Sequence, residues 1–317
     1  MKSAGLAWAQ TESLAAEKLI ELAWQEDLAG LADCTTSSLV ADRTLAAASF
    51  VPRKAGILAG LPVLAQIAAK FDPAIVVEYL AQDGEHIPAQ RAVARMTGPA
   101  RSLLTAERTM LNFLCRLSGI ATLTGQFVLA VAGTRARILD TRKTTPGWRA
   151  LEKYAVRCGG GQNHRFGLYD AILIKDNHLA FGAEAAAAEK FTPAMAVRHA
   201  REYQRQHPAK FAMEPTLTIE VDSLTQLSEV LTGDFPANAV TAERLLPDNV
   251  LLDNMSCEQL REAVRMRDQL APGVLLEASG GVNLYTVAGI AATGVERISV
   301  GAITHSAPIL DLGLDWE

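Results

Sequence analysis

Residues 250–279 read VLLDNMSCEQLREAVRMRDQLAPGVLLEAS. Two short apolar runs, VLLDN (250–254) and VLLEAS (274–279), flank an amphipathic stretch from Ser256 to Gln269. The runs have strand length, and the stretch between them repeats at helical period. The same rhythm continues outward. ARILD (136–140), AILIK (171–175), LTIEV (217–221) and RISVG (297–301) are further apolar runs, and Leu284–Thr293 is a further helical pattern. Such alternation predicts an α/β architecture. Runs that read as apolar throughout predict a parallel sheet covered on both faces.

The ends of the runs refine this. They close on Asp140, Lys175, Glu220, Asp253, Ser279 and Gly301. Polar groups recurring at the C-terminal ends of successive strands are what a barrel active site requires. An open doubly wound sheet gathers them at one switch point instead. The expectation is an incomplete α/β barrel of six or seven strands.

Upstream the pattern differs. A helix over Ser13–Gln25 precedes the strand-like pieces LAAASFV (45–51), GILAG (56–60) and IVVEYL (75–80), and a long helical pattern follows from about Thr105 to Val131. The chain is expected to divide near Gly119, and 317 residues leave room for two domains. Hydrophobic residues at 49% and charged residues at 21% exclude wholesale disorder, collagen-like chains and disulfide scaffolds. A net charge of -5 gives no support to nucleic-acid binding. Continuous apolar runs fall short of a membrane span, and the start lacks a signal peptide's apolar stretch. Cys34, Cys115, Cys158 and Cys257 form no C-x-x-C pair, so free thiols in the cytoplasm are expected rather than zinc or a redox dithiol.

Chemistry concentrates between Thr134 and Lys175, where nine Lys or Arg residues face three acids. A solvated basic face is the ordinary reading of such a cluster. However, Arg142 and Lys143 follow one strand and Lys175 ends another, positions from which cations gather anions in a cleft. Arginine's planar fork suits carboxylates and phosphates. Gly159, Gly160 and Gly161 form either a flexible loop or a row of amides for an anion. Glu220 and Asp253 end two strands. They are either a Mg²⁺ site beside a phosphorylated ligand or ion-pair partners for the lysines. Ser279-Gly280-Gly281 and Gly301 close the last strands, where barrels frequently hold phosphate. His305, read alone, is structural.

Several segments together resemble the nicotinate-nucleotide pyrophosphorylase (carboxylating) family, also called quinolinate phosphoribosyltransferase. They are EDLAGLADCTT (26–36), AERTMLNFLCRLSGIAT (106–122), DTRKTTPGWRALEKYAVRCGGGQNHRFGLYDAILIKDNH (140–178), TIEVDSL (218–224), LLDNMS (251–256), EASGGVNL (277–284) and RISVGAITHSAP (297–308). The resemblance implies an N-terminal α/β sandwich over 1–118, an incomplete α/β barrel over 119–305, and a chain end, 306–317, that returns to the first domain. It implies that quinolinate and 5-phosphoribosyl-1-pyrophosphate become nicotinate mononucleotide, pyrophosphate and carbon dioxide, with Mg²⁺, on the de novo route to NAD.

The resemblance also assigns residues. Arg142, His164, Arg165 and Lys175 would bind quinolinate, with Arg108 donated by the other subunit of a homodimer. Lys143, Glu220, Asp253, Ser279, Gly280, Gly301 and His305 would hold the phosphoribosyl substrate. Glu220 and Asp253 would also face the metal, and Glu220, Asp253, Lys143 and Lys175 would serve catalysis. Two segments, Ala183–Pro215 and Gly233–Asp248, read as insertions. The rivals are a molybdenum-transport-associated relative of the same fold with another acceptor, and a non-catalytic binder of phosphate ligands.

Overall fold

A computed structural model describes residues 6–185, 191–211, 215–233 and 245–317. The chain forms two units. The first comprises the chain up to Val128, Lys143–Asn163 and Gly301–Glu317; the second comprises Leu129–Arg142 and His164–Val300.

In the first unit, the largely apolar run LAAASFVP builds β1 (Leu45–Pro52), which lies between β5 (Ala94–Pro99) and the chain-terminal β12 (Leu312–Trp316). With β3 (Val76–Tyr79) they form an antiparallel sheet of order β12-β1-β5-β3. The return of the chain end is thus a paired strand, with Ala48 opposite Trp316. A small pair, β2 (Gly56–Ile57) and β4 (His86–Ile87), lies apart from it. The helices are α1 (Gln10–Leu28), α2 (Cys34–Leu39), α3 (Leu61–Phe71), α4 (Ala100–Ala130), α5 (Arg149–Cys158) and the single turn α11 (Ala302–His305).

Helix α4 runs straight through Gly119, where the sequence predicts a boundary. The reason for a glycine there is contact rather than hinge. A Cβ would collide with the Pro308 carbonyl oxygen, and the Leu310 N–H donates to the Cys115 oxygen at 3.0 Å. The glycine lets the chain end lie against the helix backbone. By length and composition α4 could cross a bilayer, but much of its apolar surface is buried inside the protein.

The glycine run after α5 is also packing. The amides of Gly159, Gly160 and Gly161 donate to the oxygens of Ala155, Arg157 and Val156 at 3.0 Å each. A Cβ on Gly161 would approach Thr124 and Val156 to 2.8 Å. This run is neither a loose loop nor an anion cradle.

The second unit carries a six-stranded, all-parallel sheet. Its strands are β6 (Arg137–Leu139), β7 (Ala171–Ile174), β8 (Thr216–Val221), β9 (Asn249–Asp253), β10 (Leu275–Ser279) and β11 (Arg297–Ser299), in the order β6-β11-β10-β9-β8-β7. The barrel is open between β6 and β7. Its helices are α6 (Asp176–Ala185), α7 (Pro193–Gln206), α8 (Leu224–Thr232), α9 (Cys257–Leu270) and α10 (Val287–Ala291). The segment read as an insertion at 183–215 contains α7, which packs on β7, β8 and α8 and so belongs to the helical layer. Most of the other, 233–248, lies outside the described residues.

Local signals set the helix ends. Ser256 and Gln259 form a reciprocal capping box at the start of α9. At its end, buried Arg267 bonds Glu296 at 2.8 Å and the Val274 oxygen at 2.6 Å, fixing the turn into β10.

Register separates the sheet into two faces, because side chains alternate along a strand. One row runs Ile138, Ile298, Ala278, Leu252, Val221, all buried and apolar. The opposite row runs Arg137, Arg297, Glu277, Leu251, Glu220, with Asp253 beside Ser279 two positions further on. The strands are therefore not apolar throughout. One face builds core and the other carries charge.

Candidate active site

The second unit holds most of the expected residues, some of them on the polar face of its sheet. Glu220 and Asp253 lie on it from adjacent strands, and Ser279 is opposite Asp253. Lys175, just past β7, places its Nζ 2.9 Å from Glu220 Oε2. Glu220 is thus an ion-pair partner for a lysine, one of the two readings its sequence position allows. Asp253 Oδ2 accepts from the Asn254 side chain at 2.7 Å. Asn254 takes a left-handed φ of 53° and donates its N–H to the Ser279 oxygen at 2.9 Å, which ties the ends of β9 and β10 together.

Next in the chain, Gly280 and Gly281 adopt φ of 93° and 61°. A side chain on Gly280 would collide with Asn254. Among the described residues no acceptor takes the amide of either glycine. Two adjacent amides without acceptors suit an anion.

Arg142 and Arg165 also belong to this unit. Arg165 is half-buried, and its guanidinium is pushed below its ordinary value by burial first and by the charge of Arg142 second, with Asp170 opposing. Two cations that disfavour each other are relieved by a shared anion.

His164 is anchored from three sides. Its N–H donates to Asp140 Oδ1 at 2.8 Å, its Nδ1 accepts the Arg165 N–H at 2.7 Å, and its Nε2 lies 3.2 Å from Glu277 Oε1. Glu277 is fully buried and also takes Arg297 Nε at 2.8 Å and the Ser299 hydroxyl. Burial, the strongest single influence, would raise its carboxyl. The hydrogen bond and charge of His164, the charge of Arg297 and the Ser299 hydroxyl together outweigh it and hold the group down at about 2. The sequence reading names neither Glu277 nor Arg297 as a site residue. The signal was available, because Glu277 stands two residues before Ser279 and shares its face.

The first unit holds the remaining expected residues. A Cβ on Gly301 would lie 3.1 Å from both Lys143 Cδ and His305 Nε2, so these three converge. Thr304 Oγ1 donates to the Lys143 oxygen at 2.8 Å, and His305 Nδ1 lies 2.6 Å from Ser306 Oγ. Arg108 is exposed on α4 and forms no ion pair among the described residues.

The described residues contain no cluster of three or more His, Cys, Asp or Glu that could hold a metal. A pair of carboxylates is still the donor set Mg²⁺ takes when phosphate oxygens and water complete its shell. Glu220 and Asp253 fit an ion brought by a phosphorylated ligand, not a resident one caged by protein.

The sequence profile of the quinolinate phosphoribosyl transferase N-terminal domain matches residues 33–118, and that of the C-terminal domain matches residues 120–315. The chain belongs to the quinolinate phosphoribosyltransferase family. A nicotinate-nucleotide pyrophosphorylase (carboxylating) of Mycobacterium leprae is 44% identical over 306 residues, covering 95% of this chain and 97% of that protein. Quinolinate phosphoribosyltransferase (decarboxylating) 1 of Nicotiana glauca is 36% identical over 301 residues, covering 93% and 81%. The solved structure of the nicotinate-nucleotide pyrophosphorylase from Francisella tularensis matches with a TM-score of 0.82 at 33% identity over 100% of both chains. The family's two domain profiles meet inside α4, whereas packing assigns that helix up to Val128 to the first unit.

Proposed function

We propose that this family member is a nicotinate-nucleotide pyrophosphorylase (carboxylating). It joins quinolinate to 5-phosphoribosyl-1-pyrophosphate and releases pyrophosphate and carbon dioxide. The observation that carries the reading is the half-buried Arg142–Arg165 pair, two mutually repelling cations suited to a dicarboxylate.

The acceptor is assigned to Arg142, His164, Arg165 and Lys175, with Arg108 supplied from a second copy in a homodimer. The phosphoribosyl ligand is assigned to Lys143, Glu220, Asp253, Ser279, Gly280, Gly301 and His305. The free amides of Gly280 and Gly281 and the convergence of Lys143 and His305 at Gly301 support that assignment. Mg²⁺ would be held by Glu220 and Asp253 and would neutralise charge on the pyrophosphate.

In the reaction the ring nitrogen attacks the anomeric carbon while its bond to pyrophosphate breaks. Positive charge grows on the ribose, and a fixed carboxylate, Glu220 or Asp253, stabilises it. Lys143 balances the departing anion. The ribosylated ring nitrogen is then cationic. It stabilises the electron pair left on the ring carbon when the neighbouring carboxylate departs as carbon dioxide, and that carbon takes a proton from solvent. The protein supplies no nucleophile. Its work is to hold two anions together against their repulsion. The setting proposed for this chemistry is the cytoplasm.

Carboxyl-labelled quinolinate, 5-phosphoribosyl-1-pyrophosphate and Mg²⁺ test the reading. Labelled carbon dioxide should appear only when all three are present. No release from folded protein would move the assignment to the relative with another acceptor, and ligand binding without turnover would indicate the binder.

A further inference from the structure

Arg165 lies in the segment 164–170, which leads into β7. Apolar packing does little for the tip of this segment, where Leu168 and Tyr169 are 72% and 67% exposed. Polar bonds hold its backbone instead. The His164 backbone N–H donates to Asp140 Oδ1 at 2.8 Å. On the other side of Arg165, the Phe166 N–H donates to Asp170 Oδ2 at 2.6 Å and the Gly167 N–H to Asp170 Oδ1 at 2.8 Å. The residues before and after Arg165 are thus each tied to a carboxylate. Both oxygens of Asp170 take part, and bonds to an ionised acceptor are the strong ones.

Such restraint has a physical reason. The charge of Arg142 works against Arg165, and that of Asp170 works for it. A long cationic side chain on a loose backbone would relieve the repulsion by turning into solvent. A fixed backbone limits that escape, and cations ordered before the ligand arrives lose less freedom on binding. Asp140 also stands two residues before Arg142, so its carboxylate couples the two segments that carry the guanidiniums.

We infer that Asp170 is a positioning residue for the acceptor: by clamping the backbone that follows Arg165 it keeps this guanidinium beside Arg142, so that both engage one ligand with adjacent carboxylates. It acts only through Arg165. The inference rests on the function proposed above.

The clamp is read first in the free full-length protein, by hydrogen exchange at the Phe166 and Gly167 amides. Both should exchange slowly in the wild type and about tenfold faster or more in Asp170→Ala, with the amides of β9 and β10 unchanged. Wild-type exchange as fast as the variant's would overturn the inference, whatever the acceptor.

Binding supplies the second arm. Phthalate carries two adjacent carboxylates on a ring without the nitrogen and probes the acceptor side alone. Calorimetry should show it binding Asp170→Ala about tenfold or more weakly than wild type, the scale of one lost charge-assisted hydrogen bond. The KM for 5-phosphoribosyl-1-pyrophosphate should stay within a few-fold, whereas general damage to the fold would weaken both ligands. Asp170→Asn keeps an oxygen for one of the two amides and should fall between wild type and Asp170→Ala. Unchanged phthalate binding in folded Asp170→Ala, or equal losses for both ligands, would overturn the inference and leave the proposed function standing. So would Asp170→Asn losing as much as the alanine variant, since the negative charge beside Arg165 would then matter and the clamp would not. Wild-type protein that turns over no quinolinate would overturn the proposed function and this role with it, whatever the exchange rates.

Discussion

Glu277→Gln tests how the buried charge is balanced. The Glu277 carboxyl is lowered from its ordinary 4.5 to about 2. A carboxyl lowered by folding binds its proton more tightly in the unfolded chain. Its contribution is therefore complete above about pH 4.5 and drains away as the pH falls toward 2. At 1.36 kcal/mol per unit the full contribution is about 3 kcal/mol, of which about 2 kcal/mol is gone by pH 3. For 317 residues the unfolding entropy is about 0.7 kcal/mol per kelvin, so 2 kcal/mol corresponds to about 3 °C in Tm. The assay is differential scanning of wild type and Glu277→Gln at matched pH from 7 to 3. Titrating groups that do not touch Glu277 are common to both proteins and cancel in the difference. The variant should be the less stable at pH 7, and the gap should close by about 3 °C at pH 3. A gap that stays constant, or widens on acidification, would refute the reasoning, because Glu277 would then not be held ionised by its partners.

Three further outcomes follow from the site and its surroundings. Arg142→Ala should raise the KM for quinolinate about 10–100-fold, the scale of a charge-assisted hydrogen bond, and change the KM for 5-phosphoribosyl-1-pyrophosphate far less; two-substrate kinetics showing equal losses would remove Arg142 from the acceptor. Arg108→Ala mixed with Lys175→Ala should regain part of the activity that each lacks, provided Arg108 serves the site of another subunit; verified heterodimers without regain would exclude a composite site. Gly161→Ala forces a methyl to within 2.8 Å of Thr124 and Val156 and should cost about 1–3 kcal/mol by overpacking; unchanged thermal unfolding would show that the run is looser than its contacts indicate.

The parallel sheet was legible because each of its units is local. A strand, a capped helix and a strand lie within some thirty residues at 250–279, and the step from β10 to β11 repeats the motif on the same scale, while the steps from β7 to β8 and from β8 to β9 have longer connections. The first unit was less so. Strand β12 is defined by pairing with β1 from the other end of the chain, and no local period marks such a partner. Glu277 shows where the boundary of local reading lies. Inside VLLEAS it passes as a lone acid in an apolar run, because what makes it important, His164 and Arg297, comes from distant segments. Yet strand alternation places Glu277 on the face of Ser279, and pairing in register sets that face beside Glu220 and Asp253. An acid on the polar side of a parallel sheet must be paired or protonated, since burying an unpaired charge is prohibitive. Face parity thus turns one unremarkable glutamate into a demand for buried donors. The histidine and arginine that meet it are what link the sheet's interior to the residues proposed to bind the acceptor.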